Sequence, residues 1–273
     1  MTVIAMTREI GSRGTEIAAA LADRLHLKII HSEIVANNVA SRLGIEERAL
    51  LRHVEGTASM IERWLIDRKR LRRYTAEEIL QLVQQGNVLI RGWGAATLLR
   101  DFPQVISVRV CAPQALRVQV LMERTGVCDA EAMGEEIEKY DAAHTRTLRA
   151  YFNIEQEDAL LYHITLNSER LPVDACVAAI CQLAEHPKFQ ADSATAQSIF
   201  TDKLLQAKIN SALAEHISLT DAPSGITVSV VDGKVTLAGI AGNGAVRNKA
   251  EKVAGMIAGA GAIENRIINM PSR

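Results

Sequence analysis

The apolar positions at the start of the chain fall into short runs and helical stripes. Residues 2–6 form a brief apolar run that ends in a turn, Gly11-Ser12-Arg13-Gly14, after which Ile17, Ala18, Leu21 and Leu25 recur at spacings of three and four. That pattern predicts strand, loop and amphipathic helix in succession. Residues 27–30 predict a second strand, and the stretch from about residue 32 to 85, poor in Gly and Pro, predicts several helices. Residues 87–90, 105–111 and 160–166 are apolar and partly β-branched, with helical stretches between them. Strands alternating with helices predict a parallel sheet covered on both faces.

The texture changes after a helix predicted over residues 173–185. His186-Pro187 stops that helix, and residues 190–198 are rich in Ala, Ser and Gln, so a domain boundary is expected there. Thr201-Asp202 is read as opening a helix that carries Leu204, Leu205, Ile209, Ala212 and Leu213. Residues 226–231 and 234–240 alternate as strands around Asp232-Gly233, the dipeptide preferred by type I′ hairpins because both central residues need positive φ. A helix over 245–257 and a strand over 262–270 complete an α-β-β-α-β unit. The division expected is 1–186, a linker at 187–200, and 201–273.

Composition narrows the function classes. Lys plus Arg (31) nearly balances Asp plus Glu (32), so no nucleic-acid partner is expected. No apolar stretch reaches transmembrane length, and Glu9 interrupts any signal-like N-terminus, which points to the cytoplasm. Cys111, Cys128, Cys176 and Cys181 lack zinc or redox spacing, and His53 and His163 lack metal-ligand spacing. The run Arg68-Lys69-Arg70 with Arg72-Arg73 reads as a solvated helix face.

A loop between a first strand and a first helix places backbone N–H groups at a helix N-terminus, where an anion is favoured. The sequence Thr7-Arg8-Glu9-Ile10-Gly11-Ser12-Arg13-Gly14-Thr15 does not match GxxxxGK[ST]: it has no Lys, Arg13 is the nearest cation, and Thr15 is the nearest hydroxyl. Taken alone, the Gly-Ser-Arg-Gly turn serves equally as a tight βα turn. The wider run resembles the cytidylate-kinase-like family loop S-R-E-x-G-S-G-G-x-E-I-A, with Arg13 where that pattern has Gly. His31-Ser32-Glu33, Gly92-Trp93-Gly94-Ala95, the stretch from Ala112-Pro113 to Arg117 and the segment Tyr162 to Ser168 extend the resemblance in order and spacing over about the first 185 residues.

The resemblance implies a P-loop kinase-like α/β fold using ATP and Mg²⁺. It places Gly11, Ser12, Arg13, Gly14 and Thr15 on the donor phosphates, with Ser32, Arg91, Trp93 and Asp158 on the acceptor nucleotide. Arg146 and Arg149, one helical turn apart, would act with Arg13 as catalytic lid cations or else form a solvated helix face, with His144 as the other residue that the family's spacing suits for one lid position. Two departures bear on activity: Trp93 replaces the Arg of the family's G-R-G-A, and Asn37 replaces an acceptor-helix Arg. Arg91, two residues from Trp93, is expected to share its strand face. Residues 202–270, with the core Val228-Ser229-Val230-Val231-Asp232-Gly233-Lys234-Val235-Thr236-Leu237-Ala238-Gly239, resemble a BON domain, which implies a phospholipid or protein partner. Two readings follow: a nucleoside monophosphate kinase joined to a partner-binding domain, or an inactive kinase fold that senses a nucleotide, or acts as a scaffold, through the BON domain.

Overall fold

Val3, Ile4, Ala5 and Met6 are shielded almost completely from solvent, which requires β1 (Val3–Arg8) to lie inside a sheet covered on both faces. The computed structural model describes residues 1–54, 67–190, 193–218, 222, 225–259 and 263–270. In it β1 pairs in parallel with β3 (Val88–Arg91) on one side and β4 (Val105–Cys111) on the other. With β2 (Lys28–Ile30) and β5 (Ile164–Asn167) at the edges, the order is β2-β3-β1-β4-β5. The chain divides into two units, Met1–Ala191 and Asp192–Arg273.

Eight helices are described in the first unit: α1 (Gly14–Leu25), α2 (Ser32–Leu43), α3 (Glu47–Val54), α4 (Arg68–Gln84), α5 (Ala95–Leu98), α6 (Gln114–Thr125), α7 (Ala130–Phe152) and α8 (Val173–Glu185). The predicted stripe on α1 is the buried one: Ile17, Ala18 and Leu21 pack with Cys176, Val177 and Ile180 of α8 against Ile4, Met6, Val108 and Val110. All four cysteines are free thiols, and Cys176 and Cys181 are core packing. Helices α2 and α4 dock through Asn38, which donates to Glu78 at 2.6 Å, and through Arg42, which pairs with Glu77 and lies 4.0 Å above the Tyr74 ring. Helix α4 starts at Asp67, whose carboxylate accepts from the amides of Lys69 and Arg70. Arg68, Lys69, Arg70 and Arg72 are exposed. The expected helical stretch between residues 32 and 85 includes 55–66, which lie outside the described residues.

In the second unit, α9 runs Ser193–His216 and therefore opens well before Thr201, the start expected from sequence. Ala, Gln and Ser are compatible with helix, and Pro187, the one true breaker nearby, sits in a 3₁₀ turn at Pro187–Phe189. Strands β6 (Ile226–Val231) and β7 (Lys234–Ala241) form the hairpin, with Asp232 at φ 48° and Gly233 at φ 74°. The Asp202 carboxylate accepts from both turn amides, at 2.7 and 2.9 Å, and so ties α9 to the hairpin. Helix α10 (Gly244–Ala258) leads to β8 (Ile263–Asn269), which joins β7 in parallel; Gly261 and Ala262 of the sequence motif lie outside the described residues. Ile209, Leu213, Val246, Ala250 and Val253 cover one sheet face through Val228, Val230, Val235 and Leu237. Alternation sends Ile240 and Ile268, register partners on β7 and β8, outward and exposed. No helix among the described residues is long and apolar enough to cross a membrane.

Candidate functional site

The C-terminal ends of β1 and β3 open into a cleft of about 680 Å³, open to solvent and lined by Thr7, Arg8, Ser32, Leu51, Arg91, Gly92, Trp93, Tyr140 and His144. Crevices beyond the carboxyl ends of parallel strands are the usual ligand sites of open α/β sheets.

The loop between β1 and α1 forms one rim. Gly11 has φ 76°, and a Cβ there would stand 2.6 Å from the Arg117 carbonyl oxygen, so only glycine lets α6 approach the loop this closely. Ser12 is buried; its hydroxyl donates to the Glu9 carbonyl at 2.7 Å, and its own carbonyl accepts from Ser168. Arg13 is left-handed (φ 55°) and precedes α1, whose first amides, Gly14 to Glu16, have no intrahelical acceptor. Arg13 is half-buried and Thr15 exposed. The loop is braced from below. Glu9 accepts from Arg109 at 2.6 Å and from the Ala112 amide, while Arg117 donates Nε to the Ile10 carbonyl at 2.7 Å and forks onto Asp141 of α7.

The interior of the cleft is cationic. Arg8, beside Arg91, faces the cleft, and burial followed by the Arg91 charge holds its guanidinium below the ordinary value. Among the described residues no carboxylate pairs with Arg8. Arg91 donates Nη2 to His31 Nδ1 at 2.7 Å, while its Nε is buried without a partner. His144, stacked on Tyr140 with ring centroids 5.9 Å apart, is pushed toward its neutral form by burial against the opposing pull of Asp141, with Arg8 adding to the burial effect.

The other residues read from sequence are distributed unevenly. Ser32 opens α2 and reaches the cleft wall, its hydroxyl on Glu33. Trp93 is buried and donates its indole N–H to the Ser32 carbonyl, so it forms wall rather than phosphate contact. Arg91 and Trp93 both reach the cleft, but not by strand alternation: β3 ends at Arg91, and Gly92, Trp93 and Gly94 are all left-handed (φ 76°, 57° and 65°). Asp158 is exposed and caps a 3₁₀ turn, one carboxylate oxygen accepting from the Leu160 amide at 2.9 Å. Arg146 opens onto a separate hollow with His53, Arg68 and Tyr151, and Arg149 pairs with Glu155 at 2.6 Å. Neither is brought to the loop; the same helix presents Tyr140, Asp141 and His144 instead. Asn37 is exposed on α2. His53 contacts the Tyr151 hydroxyl, and His163 accepts from the Ser107 amide. Sequence reasoning quoted Arg8 and Arg117 within motifs but gave them no role, and did not single out Tyr140.

Comparison with known proteins agrees with this architecture. The model of the cytidylate kinase-like family matches residues 3–170. The chain belongs to that family. Residues 201–268 match the BON domain, so the family's kinase-type unit here carries a BON unit after it. The cytidylate kinase of Sulfurisphaera tokodaii is 24% identical over 173 residues, covering 63% of this chain and 89% of that protein. An uncharacterised protein from Eubacterium ventriosum, known from its crystal structure, shares the fold: the TM-score is 0.53 at 19% identity, over 68% of this chain and 99% of that one.

The residues present fit the phosphates of ATP. A desolvated cation without a carboxylate partner and unspent helix-start amides together favour a polyanion. Among the described residues no group of three His, Cys, Asp or Glu could hold a metal, and Glu9 and Asp141 are occupied by arginines. The protein's contribution to Mg²⁺ would be the Thr15 hydroxyl, with phosphate oxygens supplying the remainder.

Proposed function

We propose that the chain is a nucleotide-binding phosphotransferase that moves a phosphoryl group from ATP to a nucleoside monophosphate. The observation that carries this reading is the convergence of Arg8 and Arg91 on one cleft beside the loop. The Gly11–Thr15 loop holds the donor phosphates, chiefly through the amides of Gly14 and Thr15, since the Ser12 amide is donated to the Glu9 carbonyl. Arg91 and Ser32 hold the acceptor phosphate, and the Trp93 and Tyr140 rings wall the pocket. Bound ATP supplies the transferable phosphoryl group; the chain supplies position and charge neutralisation, the chief needs of phosphoryl transfer. The BON unit would contact a phospholipid or protein partner through the sheet face that exposes Ile240 and Ile268. The absence of membrane-spanning helices among the described residues is compatible with a cytoplasmic location.

A second reading, a silent sensor or scaffold that acts through the BON unit, draws support from Arg146 and Arg149, which stand away from the cleft, and from the spent Trp93 N–H. Each cation missing from the transition state costs on the order of a hundredfold in rate. With Trp93 and Asn37 standing for two such cations, turnover is expected far below the roughly 1–100 per second of ordinary kinases, at about 0.0001–0.01 per second. A coupled ADP-release assay with CMP, dCMP, UMP and AMP, run beside calorimetry with ATP, separates the readings. Slow turnover that falls about a hundredfold further in Arg91→Ala supports transfer. Binding without turnover supports the sensor, and no binding at all supports the scaffold.

A further inference from the structure

Eight positions ending at Thr15 lay the chain against GxxxxGK[ST] once the backbone is known. Thr15 takes the hydroxyl position, and Arg13 takes the second glycine's place with the left-handed φ of 55° that glycine would adopt. Gly14 then stands at the lysine and Arg8 at the first glycine. Those two positions touch: a Cβ on Gly14 would lie 2.8 Å from the Arg8 Cβ and 3.0 Å from its Cδ. The Arg8 stem therefore runs flat across the first residue of α1, through the space a residue-14 side chain would need.

We propose that the loop cation has exchanged places with its glycine, so that Arg8, passing over Gly14, supplies the positive charge on the donor's phosphates that a lysine at position 14 would otherwise supply. The proposal rests on the nucleotide reading above and specifies the residue that contacts the polyphosphate. It also explains three observations together. Gly14 is not left-handed, so its glycine serves space rather than backbone conformation. Arg8 is desolvated beside Arg91 without a carboxylate partner, an arrangement that stands ready for an anion. Arg13, by contrast, contributes backbone curvature, and its guanidinium has no ion pair among the described residues.

The physical signature is a trade between stability and binding. In the folded state Arg8's charge is disfavoured by burial, then by Arg91, with Tyr140 and the Glu16 carboxylate pulling the other way, so removing it relieves a cost that a bound anion would also relieve. In Arg8→Gln the melting temperature is expected to rise or hold while ATP affinity falls roughly 10–100-fold, the loss of a charge-assisted contact. Arg13→Ala is expected to lose only about threefold, because the loop amides remain.

The decisive arm restores the usual arrangement. Gly14→Lys alone collides with the Arg8 stem and weakens binding; combined with Arg8→Gly, which clears the space, it is expected to bind ATP about tenfold more tightly than Arg8→Gly alone. Calorimetry with ATP–Mg²⁺ and with inorganic tripolyphosphate, alongside thermal melts of every variant, reads all of this on the full chain. Unchanged affinity in Arg8→Gln overturns the assignment, as does a double variant no tighter than Arg8→Gly. A wild type that binds neither probe overturns the nucleotide reading itself, and this assignment with it.

Discussion

Arg117→Ala is expected to lower stability by about 3 kcal/mol and to abolish a fixed loop geometry, with nucleotide binding lost in proportion. The side chain is 7% exposed and holds three things at once: the Ile10 carbonyl, both Asp141 oxygens and, at 3.9 Å, the charge of Glu9. Removing it leaves the Ile10 carbonyl and the Asp141 carboxylate without their donor. Asp141 is 39% exposed and can be rehydrated, which keeps the cost at the lower end for a broken buried pair. Asp141→Asn retains one acceptor and should cost about 1 kcal/mol. In a domain of this size 3 kcal/mol corresponds to a melting temperature lower by roughly 6–12 °C, readable by circular dichroism. Equal losses in Arg117→Ala and Asp141→Asn would remove Arg117 from its role as the support of the loop. Gly11, whose missing Cβ admits the Arg117 carbonyl at 2.6 Å, belongs to the same support.

Gly239→Val is expected to unfold the second unit while nucleotide binding survives. Gly239 lies within β7 at φ 138°, where L side chains are strained, and a Cβ would stand 2.5 Å from the Gly225 carbonyl and 3.3 Å from the Ile226 Cα. Backbone cannot step aside as a flexible side chain can, so the β6–β7 register would have to yield. Strain plus overpacking costs about 3–5 kcal/mol, a large share of the stability of so small a unit. The expected melt shows the transition of the second unit lost, with ATP affinity unchanged. An unaltered melt would show that the close approach at Gly225 is not needed.

Much of this was legible in the sequence because it rests on local rules. The stripe Ile17, Ala18, Leu21 needed only helical spacing, and Asp232-Gly233 needed only the demand for positive φ. What the sequence left open shares a cause. Spacing on α7 grouped Arg146 with Arg149 but could not say which helix face meets the loop; Tyr140 and His144, also one turn apart, are on that face. Asp158, read onto the acceptor nucleotide, has one carboxylate oxygen engaged by its local 3₁₀ turn. Arg8, quoted within the loop motif, was given no role because Gly14 carries no side chain to signal a contact, and the passage of the Arg8 stem over Gly14 is visible only in three dimensions. Arg91 was anticipated for a reason that does not hold: three left-handed residues, not strand alternation, place Trp93 beside it.

The central claim is that nucleotide phosphates lie between the β1–α1 loop and the end of β3. Amide NMR of the full-length ¹⁵N-labelled protein, titrated with ATP–Mg²⁺ and then with CMP, tests it most directly. The account predicts that ATP shifts Gly11, Ser12, Gly14 and Thr15 with the Arg8 side-chain signal, and that CMP then moves Ser32 and Gly92 to Gly94. Signals that leave the loop unmoved and change only within residues 226–269 would contradict it.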